Sequence, residues 1–197
     1  DFCIWREKER SEKAIKDATL SFCRRSDAYR VTLEPIVTIT GFFEYEIDLP
    51  KNTNLVDIHS ATLGKKEITP ETEQGANHEN PSWRTEMGTP KSYIRPSNKK
   101  IYLVPVPETS NDNITLYASL KPSLTATSID TEFVENYVDG IMAGALANLF
   151  NAQDMPWANP QRAMKHEAEF QAHIQDASNK ADGRNGPTRK RIRYGGL

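Results

Sequence analysis

The sequence predicts an α+β protein. It reads as a helical bundle, built from an N-terminal helix and a C-terminal helix pair, that carries an inserted, mainly antiparallel β domain and ends in an extended arm. Three observations point there. Near both ends apolar residues recur at helical spacing, as in Ala14, Ile15, Ala18 and Phe22, and in Phe133, Tyr137, Ile141, then Met142 or Ala145, and Leu149. Between them the period falls to two: Phe43, Tyr45, Ile47 and Leu49 alternate with Glu44, Glu46 and Asp48. The last stretch, Arg184 to Leu197, holds five basic side chains and no acid, with too little apolar material for a core of its own. The expected division is residues 1–30 with 124–183 as the helical domain, 31–123 as the β insert, and 184–197 as the basic arm.

Taken in order, the first helix is expected from about Arg10 to Tyr29, with Cys23 bordering its apolar stripe. Val31-Thr-Leu33 and Ile36-Val37-Thr-Ile39 are β-branched, Gly41 punctuates them, and the strand through Tyr45 stops at Pro50. Val56-Asp-Ile58 continues in β register, and Gly64-Lys65-Lys66 reads as a hairpin turn. Residues 69–92, rich in Pro, Gly, Asn, Ser and Glu, read as one long loop. Ile101 to Pro107 is a strand closed by prolines, and Ile114, Leu116, Ala118 and Leu120 alternate once more before Pro122. Asp130 can cap the next helix. Asn159-Pro160 opens the last one, with Ala163, Phe170, Ile174, Ala177 and Ala181 on one side and a stop near Gly183.

With 197 residues and no apolar run near the ~20 residues that cross a bilayer, the chain is expected to be soluble and to make no membrane contact. Cys3 and Cys23 have neither metal-ligand spacing nor a disulfide framework, so reduced thiols in a protein made in a cytoplasm are expected. No secretory leader is expected, so Asn113-Ile-Thr115 is given little meaning as a glycosylation acceptor. Catalytic motifs are lacking: no Gly-x-Ser-x-Gly turn, no histidine near either cysteine, and no phosphate-cradling spacing at Gly64-Lys65-Lys66. A hydrolase with dispersed residues is thereby left without support, and no enzyme activity is expected. His166, Glu169 and His173 fall on one side of the last helix and could ligate a metal. They border the apolar stripe and lack a fourth ligand, so no metal and no cofactor are assigned to them.

The remaining features point to contacts. Gly140 and Gly144, four residues apart in a helix, each cost about 1 kcal/mol relative to alanine, which implies close approach by another backbone. Trp157, between the last two helices, is expected to plug their corner, whereas Trp83 in the long loop reads as an exposed contact point for a partner. In the arm, Arg189, Lys190, Arg191 and Arg193 suit carboxylates, and Ile192, Tyr194 and Leu197 offer apolar anchors. A protein-docking arm is preferred over a solvated tail. A clamp on nucleic acid is the other alternative, disfavoured by the absence of interleaved stacking residues. Without the arm, 20 basic residues face 27 acidic ones, a net of −7 over residues 1–183. An acidic body with a cationic arm suits head-to-tail assembly or a grip on a polyanion.

The order of several segments is itself informative. Phe22-Cys-Arg-Arg-Ser26, Tyr45-Glu-Ile-Asp-Leu-Pro50, Ile101-Tyr-Leu-Val-Pro-Val-Pro107, Leu120-Lys-Pro-Ser123, Tyr137-Val-Asp-Gly-Ile-Met-Ala-Gly-Ala-Leu146 and Met155-Pro-Trp-Ala-Asn-Pro160 follow one another over residues 10–183. Together they resemble the head-to-tail adaptor (connector) proteins of tailed bacteriophages, especially the short-tailed type. The resemblance implies a structural virion protein at the head–tail junction, assembled in the host cytoplasm. It implies a ring, commonly dodecameric, that joins the portal to a tail or nozzle protein and lets genome DNA pass without sequence-specific binding. It also implies a C-terminal extension along the portal, which the basic arm would match. The alternative from another class is a nucleic-acid-binding accessory protein that uses the arm.

Overall fold

The computed structural model describes residues 2–153 and 155–183, with side chains from Lys8 onward. The arm residues Arg189, Lys190, Arg191, Ile192, Arg193, Tyr194 and Leu197 lie outside the described residues. The protein is mixed α+β, with a curled, mainly antiparallel sheet. It divides into two compact units. One holds the described residues up to Ala28 and from Val134 on; the other is Tyr29–Phe133.

The helical unit contains α1 (Phe2–Ser26), most of α3 (Thr131–Phe150) and α4 (Pro160–Ala181). Each end has a local cause. α1 stops where Asp27 turns to positive φ. The Asp130 Oδ1 accepts the Glu132 N–H at 2.8 Å at the head of α3. Asn159 caps α4 by accepting the Arg162 N–H at 3.0 Å, with Pro160 in the first turn. Within α3, Tyr137 leaves helical geometry (φ −128°, ψ 17°) and kinks the helix. The fully buried Phe22 ring of α1 lies 5.2 Å from that of Tyr137 and 6.2 Å from that of Phe170 of α4. Further along, Ala14 and Ala18 pack on Ala145 with Leu149 beside them.

The β unit opens with β1 (Arg30–Thr32) and β2 (Ile36–Val37), followed by β3 (Glu44–Glu46) and the long β4 (Thr53–Leu63). A two-residue turn at Gly64-Lys65 leads into β5 (Lys66–Glu71). Then come a short helix α2 (Glu73–Glu79), β6 (Met87–Gly88), β7 (Ser92–Ser97), β8 (Lys100–Val104), β9 (Val106–Pro107) and β10 (Asn113–Pro122). The main sheet runs β1-β10-β4-β5-β7-β8-β3, with β2 also on β10. All its pairs are antiparallel except β5–β7; β6 and β9 form a separate parallel pair. Leu33, Leu55, Ile68, Ile101, Leu103, Ile114, Leu116 and Leu120 meet in one core on the inner face of the curl.

The stretch 69–92 corrects the expectation of a long loop. It carries the end of β5, α2, β6 and the start of β7. Thr72 caps α2 by accepting the Gly75 N–H at 3.0 Å, and Ala76 is its buried anchor. The second correction concerns Trp83, which is fully buried instead of exposed. Its indole fills the space beneath α2 with Ala76 and Ile94 and meets Phe43 edge-on at 5.6 Å. Its N–H donates to the Asn77 Oδ1 at 2.9 Å, and the Arg84 guanidinium lies over the ring at 4.3 Å. Alternation explains the site. Ile101 and Leu103 face the sheet's inner core, so Tyr102 and Val104 point outward and need a cover.

Candidate interaction surface

In the helical unit, Gly140 and Gly144 lie where side chains would not fit. A Cβ on Gly144 would come within 2.7 to 3.0 Å of the Phe170 ring. One on Gly140 would stand 2.8 Å from the Phe22 ring and 3.0 Å from the His173 Cβ. The close neighbours are thus aromatic rings and a side-chain carbon, where another backbone was expected. These glycines are internal to the unit. The apolar atoms α3 leaves exposed lie elsewhere, on Val138 and Met142, and α4 exposes Met164.

His166, Glu169 and His173 do not converge on one point. His166 Nδ1 pairs with the Glu169 Oε2 at 2.9 Å while its ring stacks on Phe150 at 5.7 Å. His173 instead packs its Cβ near Gly140. Among the described residues no group of three or more His, Cys, Asp or Glu could hold a metal ion. Cys23 is a buried free thiol whose pKa burial pushes up to about 12, so it is neutral and inert at ordinary pH. Trp157 is half-buried and lines a cavity of about 380 Å³ with Arg10, Ala14, Leu149 and Met155.

A different surface stands out in the β unit, at the turn between β2 and β3. Ile39 to Phe42 form a β-turn, closed by the Phe42 N–H donating to the Ile39 carbonyl at 3.1 Å. Gly41 occupies the third position with φ +79°, the conformation a type II turn demands. The Tyr45 hydroxyl sits inside this turn. It accepts the Ile39 N–H at 3.1 Å and donates to the Phe42 carbonyl at 2.8 Å. From outside, the Gly41 N–H donates to the Pro107 carbonyl at 3.0 Å, and the Thr40 N–H to the Ser110 Oγ at 2.9 Å. Thr38, 1% exposed, exchanges backbone bonds with Asp112 and Asn111.

A turn so firmly tied nevertheless presents apolar side chains to water. Ile39 is 53% and Phe42 60% exposed, and Val37, two residues before Ile39 on the same face, is 50% exposed. The three segments tied together here, 37–42, 85–89 and 105–112, contain Glu86, Glu108 and Asp112 but no lysine or arginine. No sequence signal singled this turn out beyond Gly41, because its hydroxyl tie comes from a strand residue whose phenol reads only as core.

No helix among the described residues is long and apolar enough to cross a membrane. No curated protein matches the chain. A family model described as SU10 adaptor protein matches residues 9–192, which takes in both the helical and the β unit. A match over nearly the whole chain places it among the head-to-tail adaptors of tailed bacteriophages, structural components of the virion: the chain belongs to the SU10 adaptor protein family.

Proposed function

We propose that this adaptor forms a ring, commonly of twelve copies in such connectors, that joins the portal to the tail and encloses part of the channel through which the genome leaves. The family match over residues 9–192 is the observation that carries this reading. In it, the helical unit with its close-packed Gly140 and Gly144 builds the ring, and the β unit is presented to a tail or nozzle protein. Residues 184–197 run along the portal, with Arg189, Lys190, Arg191 and Arg193 on carboxylates and Ile192, Tyr194 and Leu197 as apolar anchors. The charge balance supports the channel role, since a body of net charge −7 repels the phosphates of passing DNA and keeps them from sticking.

Mixing the protein with purified portal rings and weighing the product by native mass spectrometry tests the proposal. A closed oligomer of adaptor seated on each portal is expected. Removal of residues 184–197 should leave the protein folded and abolish the joint. A truncated chain that still joins portals would remove the arm from the joint, and a full chain that never does would end the connector reading.

A further inference from the structure

On the connector reading, some surface of the β unit has to meet the tail. We infer that this surface is the tip formed by Val37, Ile39 and Phe42, and that it inserts into a cleft of the tail protein that is apolar inside and rimmed by lysine or arginine. Three observations converge on it. Side chains that gain nothing from water are held outward at 50 to 60% exposure, at the end of β2 and in the following turn, whose backbone is fixed on both sides. An exposed apolar patch on an ordered loop is characteristic of a docking surface, and a pre-ordered one loses less entropy on binding. The glycine and the buried hydroxyl make sense in these terms, because they fix Ile39 and Phe42 at the two ends of one turn without burying either.

The charges select the occupant. Glu108 and Asp112 are exposed on the segment bonded to the turn, and Glu86 is exposed beside the strand that pairs with that segment. A tip-to-tip contact between two copies would set these acids against one another, and the same acids repel nucleic acid. A protein cleft with a basic rim satisfies both the apolar and the charged parts.

The test uses full-length protein seated on portal rings, titrated with the tail protein of the same particle. Phe42→Ser combined with Ile39→Thr should weaken tail attachment tenfold or more, while the melting temperature and portal joining stay unchanged. Wild-type attachment should weaken as salt is raised, and Glu86→Gln with Glu108→Gln should flatten that dependence. Unaltered tail affinity in the Phe42/Ile39 variant overturns the inference. So does a loss of self-association in that variant, which would put a second copy on the tip. If the wild-type protein fails to seat on the portal at all, the connector reading itself falls and takes the tip's assignment with it.

Discussion

At the scale of single residues, the two internal glycines of α3 set opposing effects against each other. Replacing Gly144 by alanine would gain about 1 kcal/mol of helix propensity. The new methyl, however, would overlap a Phe170 ring that is buried against Phe22 and has little room to retreat. Overpacking of this kind costs about 1–3 kcal/mol, so Gly144→Ala is expected to lower thermal stability and Gly144→Leu to prevent folding of the helical unit. Circular dichroism melts decide it, and a Gly144→Ala protein more stable than wild type would refute the crowding. Cys23 gives a prediction in pH. Burial raises its folded pKa from an ordinary 9.0 to about 12, so the unfolded thiol ionises first. The stability this thiol contributes is full below pH 9 and declines as pH climbs towards 12. Cys23→Ala should flatten the alkaline limb of the stability curve. In peptide maps at pH 8, Cys23 of the folded protein should resist iodoacetamide and react once denaturant is added.

At the scale of elements, Trp83 holds the cover of the outer sheet face. It is the largest side chain among Ala76, Ile94, Phe43, Tyr102 and Val104, and Trp83→Ala would leave a cavity costing about 3–5 kcal/mol. The expected readout is rapid proteolysis between Thr72 and Arg84 in an otherwise folded β unit; protection equal to wild type would show that α2 stands without it. Why this element hid in the sequence is physical. A helix of two turns over a sheet needs only one buried anchor, here Ala76, so its sequence stays as polar as a loop. Trp83 carries no burial signal in the sequence because its cover includes strand partners distant along the chain, Phe43, Tyr102 and Val104. Elements whose cause is local were legible: Asn159-Pro160 and Asp130 mark the heads of α4 and α3 through bonds of two or three residues' reach. β4 proved longer than its Val56-Asp-Ile58 signal because His59, Ser60 and Thr62 interrupt the alternation while its backbone pairs on with β10. The tip between β2 and β3 offers a prediction of its own. Tyr45→Phe removes the hydroxyl that ties Ile39 to Phe42 and should cost about 1 kcal/mol while hastening amide exchange at Ile39. Unchanged exchange there would mean that the outer ties to Pro107 and Ser110 suffice.

For the whole molecule, the family was legible because an ordered set of segments survives along the chain, and the matched span 9–192 runs through both units. The tip was not, since exposure is a property of the folded surface and a run such as Val-Thr-Ile-Thr-Gly-Phe reads equally well as buried strand. Charge is the property that belongs to the molecule as a unit, and it separates a connector from a nucleic-acid-binding accessory protein. Residues 1–183 carry −7 and the last fourteen residues carry all five bases of a segment free of acids. On the connector reading, affinity for duplex DNA is expected to come through the arm, against repulsion from the body. With at most five phosphates neutralised, the logarithm of the binding constant should fall with the logarithm of salt at a slope no steeper than about −4.5. The body's field makes the value at physiological salt weaker still. Fluorescence anisotropy with a labelled duplex should thus show weak binding at low salt that vanishes near 0.15 M, of the order expected for purely non-specific contact. The chain ending at Gly183 should show none at any salt. Submicromolar binding at physiological salt, retained by that shortened chain, would require a DNA site within the acidic body and would return the accessory-protein alternative to first place.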